Sequence, residues 1–326
     1  MRVTVLLLSL IFLLSLGIVS PAQADTILFP VIAVNQPNIS TVVSVWQRPG
    51  YSTTYLHYIY RLKCAFTGCT GSTPDYAGSC LSQSFTRNSY DSDLVSFDAS
   101  ANLGGGNALF NDPNTYNGTF DIGGTGARRA YLLVTQSDAA GNPVTVGDEL
   151  SLGGEVINMD IAGGAAWGYR GVNDRTEENY DFNNQADGGG VTNSLDYFWR
   201  WFQFFPPNEW TTRFFITPIG DNMDTANLSA TVSLNREGGH GSYNRGGSMY
   251  IFPTTVSVQC TAGVDLSDLL DSTALAGMQN TGGWAWFSND SYASGSILVY
   301  KLDYVVSSPT YGGTNNNGYL LSSEDY

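Results

Sequence analysis

Carboxylates are the side chains of this sequence most able to do chemistry: 29 Asp plus Glu stand against 14 Lys plus Arg, with only two histidines. Glycosidic cleavage needs one carboxyl as acid and a second as base or nucleophile, several ångströms apart. Glu155, Asp160, Glu177, Glu178 and Glu209 are the candidates, yet nothing in their spacing separates them from solvated surface acids. A hard cation suits the local pattern better. Asp221 and Asp224 in the stretch 221–227, and Asp181, Asn183 and Asp187 in the stretch 181–187, offer clustered oxygen ligands in turn-forming sequence, as structural calcium requires. Neither stretch fits the EF-hand loop pattern, and turn chemistry alone also explains Asp and Asn there.

Imidazole and thiol chemistry are narrower. His57 lies in the alternating segment Tyr55–Tyr60, where it reads as a half-buried strand residue, and His240 lies in a glycine-rich loop. The H-E-x-x-H, G-x-S-x-G and P-loop motifs are absent, no transition-metal site is expected, and neither is a Ser-His-Asp triad, although triads assemble in space. Cys64, Cys69, Cys80 and Cys260 make an even count, which in an exported chain predicts disulfides; four cysteines allow three connectivities and the spacing does not choose among them. A four-cysteine zinc site is the weaker alternative, since no C-x-x-C spacing occurs.

Aromatic side chains are the remaining chemical resource. From Tyr197 to Trp210 eight residues are aromatic, including Trp199, Trp201, Phe202, Phe204 and Trp210. Exposing half of these rings would create a larger patch than soluble monomers usually carry. The run is therefore expected to fill a contact between two modules, the alternative being an exposed platform for a sugar, a partner or another copy of the chain.

The elements that must position these groups read as strands. Short runs of Val, Ile, Tyr, Phe and Thr are broken by Gly, Asn, Asp and Pro throughout, and the single clear helix signal begins at Asp265. An internal likeness sets the architecture: Asn38–Val45 matches Asn227–Leu234, and Leu28–Val31 parallels Ile216–Ile219 just before it. Weaker matches link Ala130–Val134 with Trp284–Ser288, and Met159–Ile161 with Leu302–Tyr304. The expected fold is an all-β, antiparallel β-sandwich, as two tandem jelly-roll or Ig-like modules over 25–172 and 210–306. An acidic, Gly-rich and then aromatic connector (173–209) joins them, and a polar tail (307–326) follows. A single large sandwich is the simpler alternative.

Residues 1–24 read as a cleaved signal peptide, with Arg2, the apolar run Val3–Val19 and the cleavage site Ala22-Gln23-Ala24. The chain is then expected outside the cytoplasm, in the periplasm, at the cell surface or beyond, with no integral membrane segment. An outer-membrane β-barrel is a further alternative, disfavoured by the four cysteines and by continuous apolar runs such as Tyr131–Val134. The net charge of -15 excludes nucleic acid as the default partner. Lys63 and Lys301 are the only lysines, so strand edges lack the charges that usually keep them apart. These features together predict a non-catalytic structural or adhesive protein that associates with itself or with a surface polysaccharide; a secreted glycan-binding or glycan-cleaving protein is the alternative.

Overall fold

A computed structural model describes residues 25–34, 39–64, 76–89, 94–100, 128–144, 151–160, 165–173, 182, 199–220, 223–225, 227–290, 296–305 and 320–321. The expected signal peptide, most of the connector and nearly all of the tail lie outside them. The described chain is mostly strand, as its β-branched and aromatic runs dictate. The strands form four antiparallel sheets, none of which closes on itself. Among the described residues no helix is long and apolar enough to cross a membrane.

Sheet I runs in the order β4 (Leu81–Asn88), β3 (Tyr55–Cys64), β6 (Arg128–Ser137), β1 (Thr26–Val34) and β9 (Val172–Asn173). Sheet II is β5 (Leu94–Asp98), β2 (Ile39–Gln47), β7 (Leu152–Asp160) and β8 (Ala165–Arg170). The second half of the chain builds sheet III from β16 (Ala262–Asp265), β11 (Thr211–Ile219), β18 (Ser296–Tyr304) and β19 (Leu320–Leu321). Sheet IV contains β10 (Trp199–Phe204), β17 (Gly283–Asn289), β12 (Ser229–Arg236), β13 (Gly239–Asn244) and β14 (Met249–Ile251), with β15 (Thr255–Gln259) on the other side of β12. The helix signalled at Asp265 is α1 (Leu266–Leu269), where the Asp268 carboxylate accepts the Asp265 backbone N–H at 3.2 Å. It gives way to α2 (Ser272–Met278), capped by Asp271, which accepts from the Ala274 N–H at 2.7 Å.

Alternation along the strands distributes three apolar clusters. Leu132 and Val134 of β6 join Phe29, Val43 and Val156 between sheets I and II. Their neighbours Tyr131 and Leu133 point the other way, into a cluster that unites Leu28 and Ile59 of sheet I with Ile219 and Leu298 of sheet III, and with Met223. On β11, Phe214 and Ile216 turn to a further cluster with Phe204, Val232 and Phe287 of sheet IV. Sheets I and III thus bury both faces, so Tyr131–Val134 is apolar at every position, as doubly covered strands are. Each fully buried aliphatic side chain contributes about 1.5–3 kcal/mol.

Both lysines are inside. Lys63 donates to the Tyr76 and Gln259 carbonyls at 2.6 and 3.0 Å, and Lys301 donates to the Gln203 carbonyl at 2.7 Å and the Asp303 carboxylate at 2.6 Å. Amine-directed acylation of the native protein is therefore expected to leave Lys63 and Lys301 unmodified, and to label both after denaturation. Peptide mass spectrometry of the two samples checks this, and rapid native labelling of either lysine would show that its ammonium is not held as described.

Candidate binding site

The outer face of sheet IV gathers the aromatic rings that the core does not take. Along β10 the pleat sends Phe202 and Phe204 inward, both buried, while Trp201, one residue before Phe202, points out and is 57% exposed. Trp201 lies directly opposite Trp286 of β17, and Tyr243 of β13 lies opposite Trp284. Cross-strand pairing thus brings four rings together on one face. Centroid separations are 4.4 Å for Trp201–Trp286, 4.6 Å for Trp201–Trp284 and 4.3 Å for Tyr243–Trp284, with interplanar angles of 68°, 44° and 21°. The rings form a twisted row and not one flat plane. Met249, opposite Tyr243, and Ile251 extend it and are exposed.

Beyond Trp286 the same face becomes polar. A hollow of about 600 Å³ is lined by Trp286, Asn235, Arg236, Glu237, His240 and Asp290. Its rim is the tight β12–β13 connection, in which Gly238 takes φ +82° and Gly241, at φ +150°, passes so close to the Tyr250 carbonyl that a Cβ would fall 2.1 Å from it. Two of the lining residues, Asn235 and Asp290, belong to a hydrogen-bonded set of short side chains. Ser233 and Ser288 hydroxyls are 3.1 Å apart, the Asn235 amide donates to Ser288, and Ser288 donates to the Asp290 carboxylate at 2.9 Å. Arg236 Nε and Asp290 Oδ2 are buried without a hydrogen-bond partner among the described residues. The polar side chains of Asn235, Arg236, Glu237, His240 and Asp290 thus line the hollow beside an indole ring, an arrangement able to take a hydroxyl-rich ligand.

This cluster is not a nucleophilic triad. Ser233 Oγ and Asp290 Oδ2 approach the same imidazole nitrogen, His240 Nδ1, at 3.1 and 3.9 Å, whereas a triad places the nucleophile and the orienting acid on opposite nitrogens. Ser233 is also fully buried. His57 bonds Thr86 Oγ1 at 2.8 Å, and burial holds its pKa below the usual histidine value.

The other sequence candidates are scattered. Glu155 is exposed on the outer face of sheet II, Asp160 ends β7, and Glu209 is exposed in the turn before β11; Glu177 and Glu178 lie outside the described residues. Asp224 is partly buried with its carboxyl pKa raised by burial, and its backbone carbonyl accepts from Arg61 at 3.2 Å. Asn227 Oδ1, which closes that stretch, accepts from Arg61 and from the Cys80 N–H at 2.8 and 3.0 Å. Asp221, Asp181, Asn183 and Asp187 lie outside the described residues. Among the described residues no three or more His, Cys, Asp or Glu side chains cluster to hold a metal ion. Cys80 is joined to Cys260 with Cα atoms 6.0 Å apart, which removes two of the three connectivities. Cys64 ends β3, and Cys69 lies outside the described residues.

Trp201, Phe202, Phe204 and Trp210 of the aromatic run are not in the cluster that joins sheets I and III. Leu28, Ile59, Tyr131 and Leu133 meet Ile219, Met223 and Leu298 there instead. The run is split by strand alternation: Phe202 and Phe204 belong to the sheet III–sheet IV core, Trp201 belongs to the surface, and Trp210 packs on Phe205 at 4.7 Å. Trp199 begins β10, and Tyr197 lies outside the described residues. Sequence reasoning missed Trp284, Trp286, Tyr243 and the hollow. The signal for the first two was the alternation Gly283-Trp284-Ala285-Trp286-Phe287, which puts both indoles on one face. No protein family, curated protein or solved structure matches the chain.

Proposed function

We propose that this chain is an exported, non-catalytic binding protein of two tandem β-sandwich modules, and that it recognises a neutral polysaccharide on the outer face of sheet IV. The observation that carries the reading is the four-ring row running into a polar hollow. Aromatic faces pack against the C–H faces of sugars while Asn235, Arg236, His240 and Asp290 meet hydroxyls. A neutral glycan fits the charge: the chain carries a net -15 and both of its ammonium side chains are buried, so a polyanion would be repelled.

The order of strand pairing supports the tandem reading. β1 and β2 enter different sheets, and so do β11 and β12. Thereafter β5 and β7 flank β2 while β6 and β9 flank β1; in the second half β15 and β17 flank β12 while β16 and β18 flank β11. Four strands thus alternate between two sheets in the same sequence in each half. On this scheme β6 corresponds to β16 and β7 to β17, replacing the weaker sequence matches of β6 with β17 and of β7 with β18. On this reading the sheets stack in the order II, I, III, IV, with I and III back to back.

Native gel electrophoresis through soluble β-glucan, xylan, mannan or dextran tests the function. Retardation is expected in at least one, and Trp286→Ala or Trp201→Ala is expected to weaken it roughly 10- to 100-fold, the loss typical of a central aromatic contact. Retardation in none of the four, or retardation indifferent to both substitutions, would sink the proposal. Concentration-dependent dimers abolished by Trp201→Ala would instead make this face a contact between copies of the chain.

A further inference from the structure

The two halves place an indole at the same point of the sheet. The repeat that aligns Asn38–Val45 with Asn227–Leu234 sets Trp46, one residue on, against Asn235. Trp46 pairs across the strands with Gly153 of β7, and Asn235 pairs with Trp286 of β17. The indole therefore comes from opposite members of equivalent cross-strand pairs. In the first half it also leans onto its partner: a Cβ on Gly153 would lie 1.8 Å from Trp46 Cζ2, so the ring covers the very position that Trp286 occupies in the second half. It remains 48% exposed.

The surroundings repeat as well. Leu94 of β5 lies opposite Trp46 and is exposed, adding apolar surface beside the indole as Trp201 does beside Trp286, though from a strand in a different place in the sheet. One pleat further along, Ser44, Glu155 and Arg170 form a polar row, where the second half has Ser233 and Ser288. That row carries one acid and one base, so it adds no net charge and suits an uncharged, hydroxyl-rich ligand.

We propose that Trp46 is the centre of a second glycan-stacking surface, on the outer face of sheet II, and that the protein is divalent, bridging two chains of the same neutral polysaccharide. This rests on the glycan reading of sheet IV. With four stacked sheets about 10 Å apart, the two outer faces are separated by roughly 30 Å and look in opposite directions. One short oligosaccharide cannot reach both. Two sites so placed cross-link polymers, and their joint effect on a polymer exceeds either affinity alone.

The test is turbidity of a long-chain polysaccharide that retards the wild-type protein, titrated with that protein. Wild type is expected to precipitate the polymer with a maximum near equivalence and to redissolve it in excess. Trp46→Ala should lower the turbidity at least about 10-fold while binding a short oligosaccharide of the same sugar within about 2-fold of wild type, through sheet IV alone. Trp46→Tyr, which keeps a ring, should restore part of the turbidity, and thermal melting confirms that each variant is folded. Full turbidity with Trp46→Ala overturns the second site. So does loss of oligosaccharide binding in the same folded variant, because the two faces would then not be independent. Failure of wild type to bind any polysaccharide is a different result: it removes the sheet IV reading on which the second site depends.

Discussion

Phe204→Ala is expected to destabilise the protein by about 3–5 kcal/mol, the cost of removing a fully buried ring whose cavity cannot collapse. The neighbouring strand leaves little slack. Gly283, opposite Phe204, has no room for a Cβ, which would fall 2.2 Å from the Tyr243 carbonyl and 3.0 Å from Phe204 Cε2. Trp201→Ala on the same strand should cost only about 1–2 kcal/mol, because an exposed ring gives up two ring contacts and little burial. The same pair of variants should reverse order in polysaccharide binding, where Trp201 matters and Phe204 acts only through the fold. Urea unfolding monitored by circular dichroism measures the first comparison. Equal costs for the two substitutions would mean that β10 does not present alternate faces to core and solvent.

Removing the Cys80–Cys260 disulfide, as a Cys80→Ala, Cys260→Ala double variant, is expected to cost about 2–5 kcal/mol. The bond closes a loop of 180 residues, far into the range where cross-linking takes most entropy from the unfolded chain. It also sits at the junction of the halves, in the cluster that unites sheets I and III. Around it the backbone is tied by the Cys80 N–H to Asn227 Oδ1 and by the Cys260 N–H to the Leu228 carbonyl at 2.7 Å. A lower urea midpoint in the double variant, and a Cys80–Cys260 peptide in a non-reducing digest of wild type, are the two expected readings. An unchanged midpoint with that peptide absent would place the disulfide elsewhere.

Much of the architecture was legible locally. Alternating Val, Ile, Thr and aromatic residues specify strands wherever they occur, and the absence of zinc, elbow and phosphate-loop motifs is a property of the sequence alone. The two like segments, Asn38–Val45 and Asn227–Leu234, both fall in strands, β2 and β12. Likeness of sequence alone does not align further strands, because apolar strands resemble one another whichever sheet they enter. Which partner a strand takes depends on residues far along the chain, such as Ile27 with Val134 and Phe215 with Tyr300.

The site shows the division most clearly. Composition and patterning by themselves determined an all-β chain, an acidic surface poor in lysine and a dense supply of aromatic rings, because each is a property of single residues or near neighbours. Only the tertiary structure decided that Trp201 faces solvent while Phe204 faces the core, that Cys80 takes Cys260, and that Trp286, Asn235, His240 and Asp290 share a hollow. Pleating guarantees that a strand has two faces, but its own sequence does not say which one is covered when both are aromatic. That choice is made by the sheet packed against it, and the residues of that sheet come from distant parts of the chain.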